Sequence, residues 1–340
     1  MHFLSKNLLP VLATCLRLSA AFTNPIRKPG PDPSMVYADG NYFLTYTSYH
    51  SITITRSPTL SGLLNGETKT IWTDSDPKKN GDMWAPEMHQ IDGTWYMFYS
   101  SCDSTRPCCD TCRTRVLRGC LGPNPYDCTY TYQAELVPPI GSQGGAGDFA
   151  FSIDGTYLEI PGKGRYHVLS IIDSNSLQSI AITELDTEKW TVKKWNVIAV
   201  PEQAWEISGR PVNEAPHPLY HNGEIWLSYS GSYCWTPDYS LGLMKYNGGD
   251  PLLKSSWDKT GPVFSQANGN YGTGHNSFFT SPDGTEIWNA FHATSNSAGS
   301  CGTDRFTMTQ IVKFPTENSS IPDFGIPQPL DSILTNPSGE

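Results

Sequence analysis

Three carboxylic acids occupy short turn-forming motifs in a chain of 340 residues: Asp32 in G-P-D-P, Asp154 in S-I-D-G-T and Glu214 in N-E-A-P. Two carboxyls on opposite sides of an acetal carbon can break it. One gives a proton to the departing oxygen, while the other takes a proton from the attacking water. A third carboxyl near the donor helps it keep its proton, because neighbouring negative charges repel. The chain holds 33 Asp and Glu, so acids alone decide nothing.

What distinguishes these three is the repeat that each precedes. V-Y-A-D-G-N-Y-F-L-T-Y-T-S runs from Val36, H-Q-I-D-G-T-W-Y-M-F-Y-S-S from His89, L-Y-H-N-G-E-I-W-L-S-Y-S-G from Leu219 and F-T-S-P-D-G-T-E-I-W-N-A-F-H from Phe279. L-E-I-P-G-K-G-R-Y-H-V-L-S, from Leu158, is a weaker copy. In four copies Asp-Gly or Asn-Gly separates two runs rich in aromatic and β-branched residues. That dipeptide accepts the positive φ that a two-residue hairpin turn demands. Gly40, Gly93, Gly164, Gly223 and Gly284 follow at blade-sized intervals, the longest holding a Cys-rich stretch. Five copies predict an all-β, five-bladed β-propeller in a single domain. A sandwich of hairpins would explain the turns but not their spacing.

In a propeller the first strand of each blade lines a central channel. The segments ahead of the hairpins are G-P-D-P, W-A-P-E, S-I-D-G, N-E-A-P and G-H-N-S. One channel mouth would therefore gather Asp32, Trp84, Asp154, Glu214 and His275. Buried carboxyls are costly unless paired or working, so a ring of them points to a site. Pro31 and Pro33 fix the backbone around Asp32. Taken singly, an Asp before Pro, an Asp-Gly pair and a Glu at a strand start are ordinary; the repeat is what ties them together.

Composition narrows the function classes. A net charge of -10 leaves no basic surface to neutralise phosphates, so nucleic acid is not an expected partner. The 30 Gly and 27 Pro fit a turn-dense β protein. The ten Trp and seventeen Tyr suit sugar rings, but most are expected to pack between sheets. Lys6, the apolar run Leu8–Leu16 and Ser19-Ala20-Ala21 read as a secretory leader, residues 1–21, leaving a catalytic domain over 22–340. The run is far shorter than the ~20 residues of a membrane span. Cys15 would leave with the leader. The remaining eight cysteines, six of them in a Cys-rich insertion over 102–128, read as disulfides of an exported chain, with Cys234 and Cys301 a possible separate pair. Zinc at Cys109-x-x-Cys112 is the competing reading, weakened because no matching second C-x-x-C follows. Asn318-Ser319-Ser320 is a glycosylation sequon.

These motifs together resemble glycoside hydrolase family 43. G-P-D-P-S-M-V-Y-A-D-G, W-A-P-E-M-H-Q-I-D-G, S-I-D-G-T, N-E-A-P-H-P-L-Y-H-N-G and G-H-N-S-F-F-T-S-P-D-G are similar to its five blade motifs. The resemblance implies inversion by single displacement, with Asp32 as base, Glu214 as acid and Asp154 as the residue that tunes the acid. I-D-G-T, W-T-P-D-Y-S-L-G and G-H-N-S look most like the family's α-L-arabinofuranosidases. Ala215 stands where the family commonly has Gly after the Glu. Trp84 resembles an aromatic wall of the sugar pocket, with core packing the alternative. Arg305, in D-R-F-T, resembles an arginine near the substrate, with a structural ion pair the alternative. His275 resembles a channel histidine near a bound ion, often calcium, which it would reach through water. His292 reads as structural. No cofactor is required for the chemistry.

The expected protein is therefore a secreted, monomeric, exo-acting enzyme that releases L-arabinofuranose from arabinan or arabinoxylan. A β-xylosidase or an endo-arabinanase on the same fold is the near alternative. A non-catalytic sugar-binding propeller is the alternative of a different class, and it would have no use for three acids at one mouth.

Overall fold

The computed structural model describes residues 21–137, 151–315 and 321–340. The leader, apart from Ala21, and the Asn318 sequon lie outside the described residues. Five small antiparallel sheets form the five blades of the expected propeller. Blade 1 holds Ser34–Ala38, Asn41–Thr45, Ile52–Ser57 and Glu67–Trp72. Blade 2 holds Gly81–Ile91, Thr94–Cys102, Arg113–Leu121 and Thr131–Glu135. Blade 3 holds Ser152–Ile160, Gly164–Ile172 and Gln178–Asp186, with Asn196–Ala199 and Thr191–Val192 on its outer edge. Blade 4 holds Asn213–His221, Glu224–Gly231, Ser240–Tyr246 and Trp257–Phe264. Blade 5 holds Tyr271–Thr280, Ile287–Thr294 and Phe306–Val312. The first strands neighbour one another around the ring, which places their starts at one mouth of the channel. Among the described residues no helix is long and apolar enough to cross a membrane.

The predicted turns form as their chemistry requires. Asp39-Gly40, Asp92-Gly93 and Asn222-Gly223 all take positive φ at both positions, the two-residue hairpin geometry whose twist matches the strands. Blade 3 turns instead through Gly162 and Gly164. In blade 5 only the Gly of Asp283-Gly284 is left-handed.

Blades pack face to face, and each junction has its own apolar cluster. Phe43, Ile54, Met97 and Tyr99 fill blades 1 and 2, and Phe98, Val116, Tyr157 and Trp190 fill blades 2 and 3. Leu158, Val168, Leu227 and Trp257 fill blades 3 and 4, and Trp226, Phe264, Phe291 and Phe306 fill blades 4 and 5. Most aromatics are used here, as expected. The ring is closed by the first and last described strands: Phe22, Tyr42 and Trp288 share the last junction, and Ala21–Thr23 pairs with Ile333–Thr335.

The stretch 102–128 is not one loop. Its middle, Arg113–Leu121, is the third strand of blade 2. Three arginines in R-T-R-V-L-R disguised it, but Arg115 is buried against Glu135 (2.8 Å) and Ser101, so its charge is compensated inside the sheet. Only residues 103–112 lie at the mouth where the first strands start; Cys120 and Cys128 pair at the opposite end of that strand. The eight cysteines among the described residues are all disulfide-bonded: Cys102–Cys112, Cys108–Cys109, Cys120–Cys128 and Cys234–Cys301. Cys109 and Cys112 belong to different bridges, which removes the zinc reading.

Candidate active site

One backbone feature recurs at the start of every first strand. Asp32 (φ 53°), Ala85 (44°), Asp154 (53°), Ala215 (54°) and His275 (45°) all adopt the left-handed conformation. Each costs an L-residue roughly 1–2 kcal/mol, so each must be held. The holding device is the kinked residue's own N–H. It donates to His292 Nδ1 from Asp32 (3.2 Å), to Thr47 Oγ1 from Ala85 (2.8 Å), to Ser100 Oγ from Asp154 (3.0 Å) and to Ser230 Oγ from His275 (2.8 Å). In blade 4 the acceptor differs: Ala215 N–H donates to the carboxylate of Asp154 (3.1 Å). The kinks are also where pairing slips in four blades, which turns side chains toward the channel.

This corrects the repeat register in one respect. Asp32, Asp154 and His275 share the kink, but Trp84 and Glu214 stand one residue before it, ahead of Ala85 and Ala215. The mouth thus gathers the expected residues from two adjacent positions of the repeat. The glycine that the family pattern places after the acid also has a physical reason, since that position is left-handed.

Asp32 is buried, which opposes its charge, but cationic and polar neighbours outweigh this. Arg305 Nη1 donates to Oδ1 at 2.6 Å and Nη2 to Oδ2 at 3.4 Å. Nδ1 of His275 and Nδ1 of His292 lie 3.3 and 3.2 Å from Oδ1. Asp32 is therefore held well below the usual carboxylate range. Arg305 is itself buried, and its remaining donors go to the carbonyls of Gly302 (3.1 Å) and Cys301 (3.0 Å). Arg305 thus stands behind Asp32.

Glu214 is in the opposite state. Burial pushes it up to about 7, and the charge of Asp32 adds to this. Two donors work the other way: Tyr239 O–H to Oε1 at 2.9 Å and Gln178 Nε2 to Oε2 at 2.6 Å. Gln178 also donates to Ser170 Oγ, whose own hydroxyl holds the carbonyl of Asn213. Behind Asn213 lies a buried pair, Lys259 and Glu206 at 2.6 Å, with Glu206 also accepting from Asn213 Nδ2 and the Tyr229 hydroxyl. Glu214 is therefore held on both oxygens and along its backbone.

Asp154 is raised well above the usual range by burial first and then by Glu214 and Asp32. Burial and neighbouring carboxyls thus favour the protonated form of Asp154 and Glu214, while the guanidinium and imidazoles beside Asp32 favour its ionised form. Trp84 is half-buried at the same mouth, packed with Cys109 and Phe151 on the Cys102–Cys112 bridge and Ile153. His275 offers one nitrogen beside Asp32. Among the described residues the one group of three His, Cys, Asp or Glu within metal-ligating range is Cys102, Cys108 and Cys112, all in disulfides. The donors around His275 do not fit a directly coordinated hard cation, which prefers a cage of oxygens.

Three further residues contact this site without having been assigned to it. His292, read as structural, accepts the Asp32 N–H. Tyr239 lies within the quoted W-T-P-D-Y motif, but nothing local indicated its partner. Gln178 carries no sequence signal at all, since it reaches Glu214 from another blade.

Residues 22–318 match the family model described as glycosyl hydrolases family 43. The chain belongs to this family. It is 32% identical over 325 residues to the extracellular exo-α-(1→5)-L-arabinofuranosidase of Streptomyces avermitilis, covering 91% of this chain and 64% of that protein. It is 31% identical to α-L-arabinofuranosidase 43 of Humicola insolens, covering 93% of this chain and 66% of that one. The chain thus spans about two thirds of the length of these relatives. Its fold is similar to the crystal structure of an α-L-arabinofuranosidase from Lactobacillus brevis, with a TM-score of 0.80, 28% identity and coverage of 92% of this chain and 98% of that one.

Proposed function

We propose that this protein is an inverting, exo-acting α-L-arabinofuranosidase that removes L-arabinofuranose from arabinan or arabinoxylan side chains. The observation that carries the reading is the opposed proton affinity of two carboxyls at one mouth: Asp32 held ionised, Glu214 held protonated. That is the division of labour that glycoside hydrolysis by two carboxyls needs, and the family resemblance is what supports inversion. Water gives a proton to Asp32 as its oxygen bonds to the anomeric carbon. The glycosidic C–O bond breaks, and its oxygen takes the proton of Glu214. Solvent then restores both groups. Asp154, through the Ala215 amide, holds the backbone next to the acid. Trp84 supplies an apolar wall. An ion reached through water from His275 remains compatible with this scheme, and no step uses it. The names of the relatives support arabinofuranose as the sugar. The names that say extracellular, together with four disulfides, support secretion.

Early-time proton NMR of p-nitrophenyl α-L-arabinofuranoside hydrolysis tests the proposal. β-L-arabinofuranose should appear first, before mutarotation. Retention would overturn the roles of Asp32 and Glu214. Cleavage of xylosides but no arabinoside would move the substrate to xylose with the mechanism intact. Internal cleavage of arabinan would make it an endo-enzyme, and no turnover on any glycoside would favour a sugar-binding propeller.

A further inference from the structure

Among the described residues three aromatic side chains are exposed: Tyr132, Tyr220 and Trp235. Tyr132 lies beneath the Lys79 ammonium, and the Tyr220 hydroxyl accepts the Glu159 amide. Trp235 is 53% exposed and has no hydrogen bond or ring partner. Flexibility does not explain this exposure, because its loop, residues 232–239, is pinned. Cys234 is bridged to Cys301, the Ser208 hydroxyl donates to Asp238 at 2.6 Å, and the Gly272 amide donates to the carbonyl of Pro237 at 3.1 Å.

The loop joins the second and third strands of blade 4, at the same end of the channel as the acids. It finishes at Tyr239, which donates to Glu214. Its other neighbour is the loop of the base. A β-carbon built on Gly302 would lie 4.0 Å from the Trp235 ring, and the Gly302 carbonyl accepts from Arg305, which holds Asp32. The acid protonates the departing oxygen, so the departing sugar lies on the acid's side of the scissile bond. Blade 4 carries both the acid and this indole.

Resting on the arabinofuranosidase reading above, we infer that Trp235 is the platform on which the sugar ring of the leaving group stacks, and thus a specificity-determining residue. A flat, rigid indole meets the apolar C–H face of a sugar at little cost in side-chain entropy. A pinned loop removes most of the remaining cost. The platform favours a glycan leaving group over a small one.

The test compares wild type, Trp235→Ala and Trp235→Phe on α-1,5-arabinotriose and on α-L-arabinofuranosyl fluoride, whose leaving group is a single atom. Trp235→Ala should lower kcat/KM on the triose by about tenfold or more, mostly through KM, and Trp235→Phe should restore most of it. Rates on the fluoride should not change. Equal losses on both substrates, or none on the triose, would overturn the platform. Calorimetric titration of Asp32→Asn, with and without Trp235→Ala, against arabinotriose and xylotriose separates this inference from the one it rests on. Binding of xylotriose alone, weakened by Trp235→Ala, would keep the platform and overturn the arabinose reading. Binding that is absent, or unchanged by Trp235→Ala, would overturn the platform.

Discussion

At the scale of single residues, the site works by contrast. Asp32→Asn should lower turnover by about 10²–10⁴-fold on every substrate, because the attacking water loses its base. Glu214→Gln should cost about as much on arabino-oligosaccharides but little on aryl glycosides with good leaving groups, which depart without a proton. Steady-state kinetics on the two substrate types checks both; near-full activity of Asp32→Asn would remove its assignment. The pH profile follows from the same contrast. As the proposed base Asp32 must be ionised, and its depressed proton affinity should keep the acid limb below the usual carboxylate range. As the proposed acid Glu214 must be protonated, so activity should fall as pH rises through about 7. Tyr239 and Gln178 favour the ionised acid, so Tyr239→Phe should move the alkaline limb of kcat/KM to higher pH. A limb that stays put, or moves down, would show that the tyrosine does not tune the acid.

At the scale of elements, local chemistry decided what could be read from sequence. Asp39-Gly40, Asp92-Gly93 and Asn222-Gly223 announced their hairpins because a two-residue turn is settled by its own residues. The strand Arg113–Leu121 was hidden, because its arginines are neutralised by partners far along the chain. Gln178 and Tyr239 were hidden for the same reason: their target lies on a different strand. The one-residue offset between Asp154 and Glu214 was invisible because the kink is a backbone property that Asp, Ala and His all adopt here. The kink makes its own prediction. Ala→Gly in an ordinary strand costs roughly 0.5–1 kcal/mol. At Ala85 and Ala215 the same change should be neutral or stabilising by up to about 1 kcal/mol, because glycine has no left-handed penalty. Urea denaturation of Ala85→Gly and Ala215→Gly, beside a control such as Ala290→Gly in the blade 5 core, measures the difference. The bridge Cys234–Cys301 closes a long loop, with a separation of 67 residues. Removing it with serines should cost on the order of 4 kcal/mol on the loop-entropy account. Activity should fall as well, since Cys301 and Gly302 hold Arg305 with their carbonyls.

At the scale of the whole molecule, five blades share one hub, and the last junction is made by the first and last described strands. Phe22 packs against Trp288, and the Asn24 side chain exchanges two hydrogen bonds with the backbone of Thr309. The hub is fivefold in its backbone and singular in its chemistry. Of its five kinked posts, two carry acids, one a histidine and two only a methyl group. A symmetric frame with unequal occupants behaves like a dial on which the reaction has been set at one position. Ala85 and Ala215 are blank marks on that dial, left-handed like the posts that carry Asp32, Asp154 and His275. A chemist who wished to add a group to this channel would have two ready-made mounts, with their geometry settled before the group arrives.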